Sequence, residues 1–200
     1  MLERILLLSL FTFTLVLIYP QKEDRYTALG HFEKSTPTLK KTDSIIFTNG
    51  FDFPVGKPDA NGYYNAQPFG MNNHLGEDWN GNGGGNTDFG DPIYASANGY
   101  ISFSKNIGGG WGKVIRIKHY MENGEIYESL YAHCDSILVE KNQFVYKGAK
   151  IGTIGNAGGM YFAHLHFEIR NDVNLPIGQG YSNDTEGYLD PTKFIRQHRK

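Results

Sequence analysis

The sequence predicts a mainly β protein with an antiparallel sheet at its core and few, short helices. Glycine, at 25 of 200 residues, and aromatic residues, at 14%, form a mix that favours turns and strands over long helices. Between Pro92 and His133, short β-branched or aromatic segments recur, broken by Asn98-Gly99, Gly108 to Gly110 and Asn123-Gly124. The last break is a hairpin signal, and hairpins pair strands antiparallel. Residues 163–170, AHLHFEIR, alternate apolar Leu165, Phe167 and Ile169 with His164, His166, Glu168 and Arg170. That is the period-two pattern of a strand with one face on a core, and it sends both histidines to the other face. A chain of this length builds one well-packed core more readily than two.

Taken in order, residues 1–20 open with Arg4 and an apolar run, Ile5 to Ile18, of the length of an export signal's hydrophobic region. They read as a signal peptide or an N-terminal membrane anchor, which places the rest of the chain outside the cytoplasm. Residues 21–44 are polar, contain Pro37 and Lys40-Lys41, show no sustained period and read as a linker. The folded domain is expected over 45–200, with Ile45 to Phe47 as a first strand. Next come Asn49-Gly50, Pro54, Pro58 and Asn61-Gly62, which punctuate an irregular stretch whose Phe and Tyr side chains either pack it down or line a groove.

Strands are expected at Pro92 to Ala95, Gly99 to Ser104, Lys113 to His119 and Glu125 to His133, then a turn and a short strand within Val145 to Thr153. In Lys113 to His119, the residues Arg116, Lys118 and His119 are read as ordinary sheet-surface positions. The glycine run Gly83 to Gly85 lacks the Lys-Ser/Thr of a phosphate-binding loop and reads as a flexible surface loop. Near the end, Asp190 is an N-cap and Pro191 the first residue of a short helix through Phe194 and Ile195.

Composition also excludes. A formal charge of −2 with no Lys/Arg cluster argues against a nucleic-acid partner. The single cysteine, Cys134, rules out an intramolecular disulfide and every cysteine-based zinc motif, and it reads as a small buried residue. Any metal must therefore use histidine and carboxylate ligands.

Four short pieces carry such groups: His74 with Asp78, His133, His164 and His166. In a straight strand the Cα atoms of His74 and Asp78 would be about 13 Å apart. Donors around one ion lie within roughly 3.5 Å of each other, so shared ligation needs a bent backbone, which Gly76 permits. Two histidines and one carboxylate leave an open position on zinc for water, and further histidines could move protons or steady an oxyanion. No H-E-x-x-H helix and no G-x-S-x-G elbow occurs. Spacing does not say which histidines bind metal. The same ligand types could hold ferrous iron in an oxygenase, although nothing indicates a 2-oxoacid site.

Between Asn72 and Arg170 the motifs HLGED, GGGWGKVIRIKH, ESLYAH, VYKGAKIGTIGNAG and HLHFEIR occur in an order that resembles the lysostaphin-type zinc endopeptidases of bacterial cell walls, the LytM-domain proteins. The resemblance implies one Zn²⁺ per chain held by His74, Asp78 and His166, with His133 and His164 as catalytic histidines. It also implies an antiparallel sheet carrying a loop-walled groove, and cleavage of peptide bonds in peptidoglycan stem peptides or cross-bridges. A monomer is expected. The other reading is a non-catalytic peptidoglycan-binding module or a regulator of another cell-wall hydrolase, since relatives with degenerate sites serve in that way. Three departures stand out: the inserted WNGNGGGNTDFG after Asp78, Phe162-Ala163 where Gly-Pro is common, and Cys134 where Leu is usual. They bear on substrate choice more than on activity.

Overall fold

Eleven strands and one α-helix follow one another in the computed structural model, which describes residues 45–200. The export signal or anchor and the linker expected over 1–44 lie outside the described residues. The strands are β1 (Tyr63–Gln67), β2 (Glu77–Gly81), β3 (Pro92–Tyr94), β4 (Gly99–Gly108), β5 (Gly112–Tyr120), β6 (Ile126–Cys134), β7 (Ser136–Ile137), β8 (Phe144–Val145), β9 (Lys150–Thr153), β10 (Leu165–Arg170) and β11 (Tyr188–Leu189). The helix α1 spans Pro191–Gln197. The larger sheet runs β1-β2-β10-β6-β5-β4-β8, with β11 also paired to β10, and the smaller runs β3-β9-β7. All pairings are antiparallel, so the mainly β, antiparallel expectation holds.

The predicted hairpin at Asn123-Gly124 joins β5 to β6, and Gly124 takes the positive φ that its turn requires. Alternation in β10 puts Leu165, Phe167 and Ile169 into a core shared with Ile115, Ile117, Tyr131, Ile151 and Ile154. The opposite face of β10 is also buried, down to Arg170 at 0% exposure, because loops cover it. The strand is therefore enclosed on both faces rather than open on one. The helix begins as expected: Asp190 Oδ1 accepts the Lys193 N–H at 2.9 Å, and Phe194 and Ile195 are buried.

Two expectations fail. Ile45 to Phe47 form no strand and are exposed; among the described residues they are held only by side-chain bonds such as Ile46 N–H to the Tyr100 hydroxyl. His119 is no surface residue: it is wholly buried, its Nδ1–H donates to Asn98 O at 2.9 Å and its Nε2 lies 2.7 Å from Ser129 Oγ. Phe51, brought in by the irregular stretch, packs edge-on against it with ring centroids 5.1 Å apart. The aromatics of that stretch thus pack the core, with Phe51 and Phe53 buried. The glycine-run loop is on the surface but is pinned: Asp88, itself buried, accepts the Gly81 N–H at 2.9 Å, and Asn82 N–H donates to Gly62 O at 2.9 Å.

Candidate metal centre in a loop-walled groove

β2 and β10 are adjacent, with Asp78 opposite His166 in register. His74 lies just before β2, where the chain has turned back so that its Nε2 comes 3.4 Å from Asp78 Oδ1. Gly76 has no positive φ; its role is space. A Cβ there would sit 2.6 Å from Phe167 O and 2.8 Å from Glu168 Cγ. The chain before β2 thus presses onto β10 only because residue 76 has no side chain.

Hydrogen-bond partners assign the tautomer of each ring in its neutral form. His74 Nδ1 is 3.2 Å from Gln67 O and must donate to it, which leaves Nε2 as a bare lone pair. His166 Nε2 donates to Glu168 Oε1 at 2.9 Å and leaves Nδ1 bare. Glu168 is fixed in turn by Arg170, whose Nε and Nη2 lie 2.7 Å and 2.5 Å from Glu168 Oε2. Arg170 Nη1 and Nη2 also donate to Pro176 O and Ile177 O, both at 2.8 Å. The two bare nitrogens are 3.0 Å apart, and His166 Nδ1 is 3.1 Å from Asp78 Oδ1. Three electron-pair acceptors so placed repel one another unless a positive charge sits between them. A proton can serve: burial lowers the His166 pKa, but hydrogen bonds to Asp78 and Glu168 outweigh it and lift the group to about 9. A divalent cation fits equally, since donors about 2.0 to 2.1 Å from a tetrahedral zinc lie about 3.4 Å from each other.

His133 and His164 stand beside this trio, with ring centroids 4.7 Å apart. His133 sits in a bulge: Lys113 pairs with Cys134 and Ile115 with Tyr131, so Ala132 and His133 together oppose Val114. Its φ of 60° is left-handed, an uncommon conformation for a residue with a side chain. Burial, then the charges of His166 and His164, push its pKa down to about 3, and its buried Nδ1 has no hydrogen-bond partner among the described residues. His164 Nδ1 donates to Phe162 O at 2.8 Å, which leaves Nε2 bare and 3.7 Å from Asp78 Oδ1. Asp78, despite burial, is held below the usual carboxylate range by the His166 hydrogen bond and the charges of His166, His164 and His74. Burial lowers His74. The five residues singled out in the sequence therefore converge, whereas Cys134 is buried with its thiol pushed up to about 12. Asp78, His133 and His164 form a second, looser set whose donor atoms lie within 4.8 Å of one another.

The centre opens into a groove with two arms. One, of about 620 Å³, is lined by Trp111, Tyr161, Tyr181 and the glycines Gly110, Gly178 and Gly180. The other, of about 760 Å³, is lined by Asn80, Asn86, Asn156, Met160 and Phe162. Gln67, Asp78, Tyr161 and His164 line both. The walls are loops, including the insert after β2. Glu168 and Arg170 were not singled out in the sequence, although period two places them on the face of His166. Gln67 acts through its carbonyl, which no side-chain pattern reveals.

Fold and site together define a β-sheet protein with a His/Asp centre, suited to a divalent metal, at the bottom of a groove. Residues 73–179 match Peptidase family M23, and the chain belongs to that family. It is 43% identical over 81 residues to Lipoprotein NlpD of Yersinia enterocolitica, covering 40% of this chain and 78% of that protein. It is 42% identical over 81 residues to the Murein hydrolase activator NlpD of Escherichia coli K12, covering 40% of this chain and 20% of that protein. The peptidoglycan DD-endopeptidase ShyB of Vibrio cholerae is 34% identical over 114 residues, which cover 49% of this chain and 25% of ShyB. The crystal structure of a putative peptidase M23 from Pseudomonas aeruginosa superposes with a TM-score of 0.52 at 24% identity, over 74% of this chain and 50% of that one. That likeness is one of fold. The match thus takes in most of the Yersinia lipoprotein but only a quarter or less of the E. coli and V. cholerae relatives.

Proposed function

We propose that the chain is an extracytoplasmic zinc metalloendopeptidase that hydrolyses peptide bonds in peptidoglycan. The observation that carries this reading is the convergence of His74 Nε2, His166 Nδ1 and Asp78 Oδ1 within 3.0 to 3.4 Å. These three residues would hold the ion, which when bound supplies Lewis acidity and brings a water's pKa to about 7. Glu168 orients His166 and raises its basicity as a ligand. His164, with Nε2 free, accepts the proton of the attacking water. His133 shares that space and steadies the developing oxyanion. The groove arms receive the peptide on either side of the scissile bond.

A second reading is favoured by one specific observation: two of the relatives are NlpD proteins, one named a lipoprotein and the other a murein hydrolase activator. In that reading the groove binds peptidoglycan, or another hydrolase, without cleaving. The complete five-residue centre favours the enzyme. Attachment to a membrane would come through the apolar run of residues 1–20; among the described residues no helix is long and apolar enough to cross one. Metal analysis of purified protein together with amine release from peptidoglycan separates the readings. The enzyme requires stoichiometric zinc and release that His74→Ala abolishes; zinc-loaded protein without release would establish the binding module.

A further inference from the structure

The insert after Asp78 and the pair Phe162-Ala163, two of the three departures noted in the sequence, meet at one peptide unit. Ala163 is fully buried immediately before His164. Unlike a proline it carries an N–H, and burial obliges that donor to find a partner. Asn86 of the insert supplies it, with Oδ1 accepting the Ala163 N–H at 2.8 Å. Asn80, in β2, donates from Nδ2 to Ala163 O at 3.3 Å. Two asparagines therefore hold both polar groups of the residue that leads into His164.

The consequence reaches the imidazole. Its one anchor to the backbone is the carbonyl of Phe162, and that bond fixes the Nδ1–H tautomer and leaves Nε2 free toward Asp78. The Phe162 side chain is 71% exposed and Met160 and Tyr161 are exposed too, with the Tyr161 ring against His133 and His164 at centroid distances of 5.1 and 5.8 Å. Two backbone bonds also constrain the segment: Tyr161 N–H donates to Asn156 O and His164 N–H to Gly155 O, both at 3.2 Å.

We propose that Asn86, seconded by Asn80, is a positioning residue for His164: it holds the Phe162–Ala163 peptide so that the carbonyl selecting the His164 tautomer stays in place. The kinetic part of the test rests on the peptidase reading above. In zinc-loaded full chain, Asn86→Ala is expected to lower kcat about ten-fold, the scale of one lost hydrogen bond, with KM and zinc content unchanged. Asn86→Asp keeps an oxygen acceptor and restores kcat. Two further readouts need no turnover: hydrogen exchange at the Ala163 amide speeds up about ten-fold in Asn86→Ala, and the ¹⁵N shifts of the His164 ring change from one tautomer to a mixture.

A rise in KM with kcat intact would make Asn86 a substrate contact and overturn the proposal. So would wild-type exchange and ring shifts in Asn86→Ala, or an Asn86→Asp protein as impaired as Asn86→Ala. If the wild-type protein cleaves nothing while exchange and ring shifts respond as expected, the positioning role stands and the peptidase reading fails.

Discussion

His166 lies in β10 and His164 just before it, two residues apart, yet their hydrogen bonds turn their free nitrogens in different directions. His166 gives its Nε2–H to Glu168 and turns Nδ1 toward His74 and Asp78, whereas His164 gives Nδ1–H to the Phe162 carbonyl and keeps Nε2 free, 3.7 Å from Asp78 Oδ1. Replacing His166 by Ala should abolish zinc binding, while His164→Ala should keep zinc and lose turnover; metal analysis and activity on the same preparations check both. Glu168→Gln weakens the acceptor that orients His166, and zinc affinity measured against a competing chelator should fall about 10- to 100-fold. Gly76→Ala would drive a Cβ against the Phe167 carbonyl and the Glu168 side chain. Its expected effect is a lowered Tm and impaired zinc binding, both readable in one thermal titration. The five candidate residues were visible in the sequence because their side-chain types suit metal ligation and proton transfer. Glu168 and Arg170 share the period of His166 and read as part of a polar face, since sequence does not show that a loop covers that face.

Strands were legible wherever β-branched residues alternate between turn signals, as in β5 and β6, and the cap at Asp190 was legible from its chemistry. β1 and β2 were not, because YYNAQ and EDWNG show no strong alternation and owe their extended form to neighbours. His119 was misread because it lies on the core side of β5, where Asn98 O, Ser129 and Phe51 close around it. This has a measurable result. Burial holds the ring near a pKa of about 4 although the Asn98 bond raises it, against about 6.5 when unfolded. Between those values the unfolded chain binds more protons, so the neutral ring's contribution is complete above pH 6.5 and lost as pH falls toward 4. Urea unfolding at pH 7 and pH 4.5 should show His119→Gln losing less stability on acidification than the wild type, by on the order of 2 to 3 kcal/mol.

Across the whole molecule the sheet separates two tasks. One face of β10 and β6 carries the core, and the other carries the centre under loops from either side. Arg170 ties them together, bonded at once to Glu168 and to the loop carbonyls of Pro176 and Ile177, a few residues before Gly178 and Tyr181 line the groove. Because the folded state presents three converging donors and the unfolded chain does not, zinc should stabilise the fold by mass action. Saturating zinc is expected to raise Tm by several degrees, and a chelator to reverse it, while His74→Ala shows no response.

The most direct measurement is mass spectrometry of muropeptides after digestion of peptidoglycan by zinc-loaded wild-type protein and by His74→Ala. New peptide termini from the wild type, absent with His74→Ala, are predicted. Identical digests from the two proteins, or no new termini from wild type shown to hold one zinc per chain, would contradict a zinc peptidase at His74, Asp78 and His166.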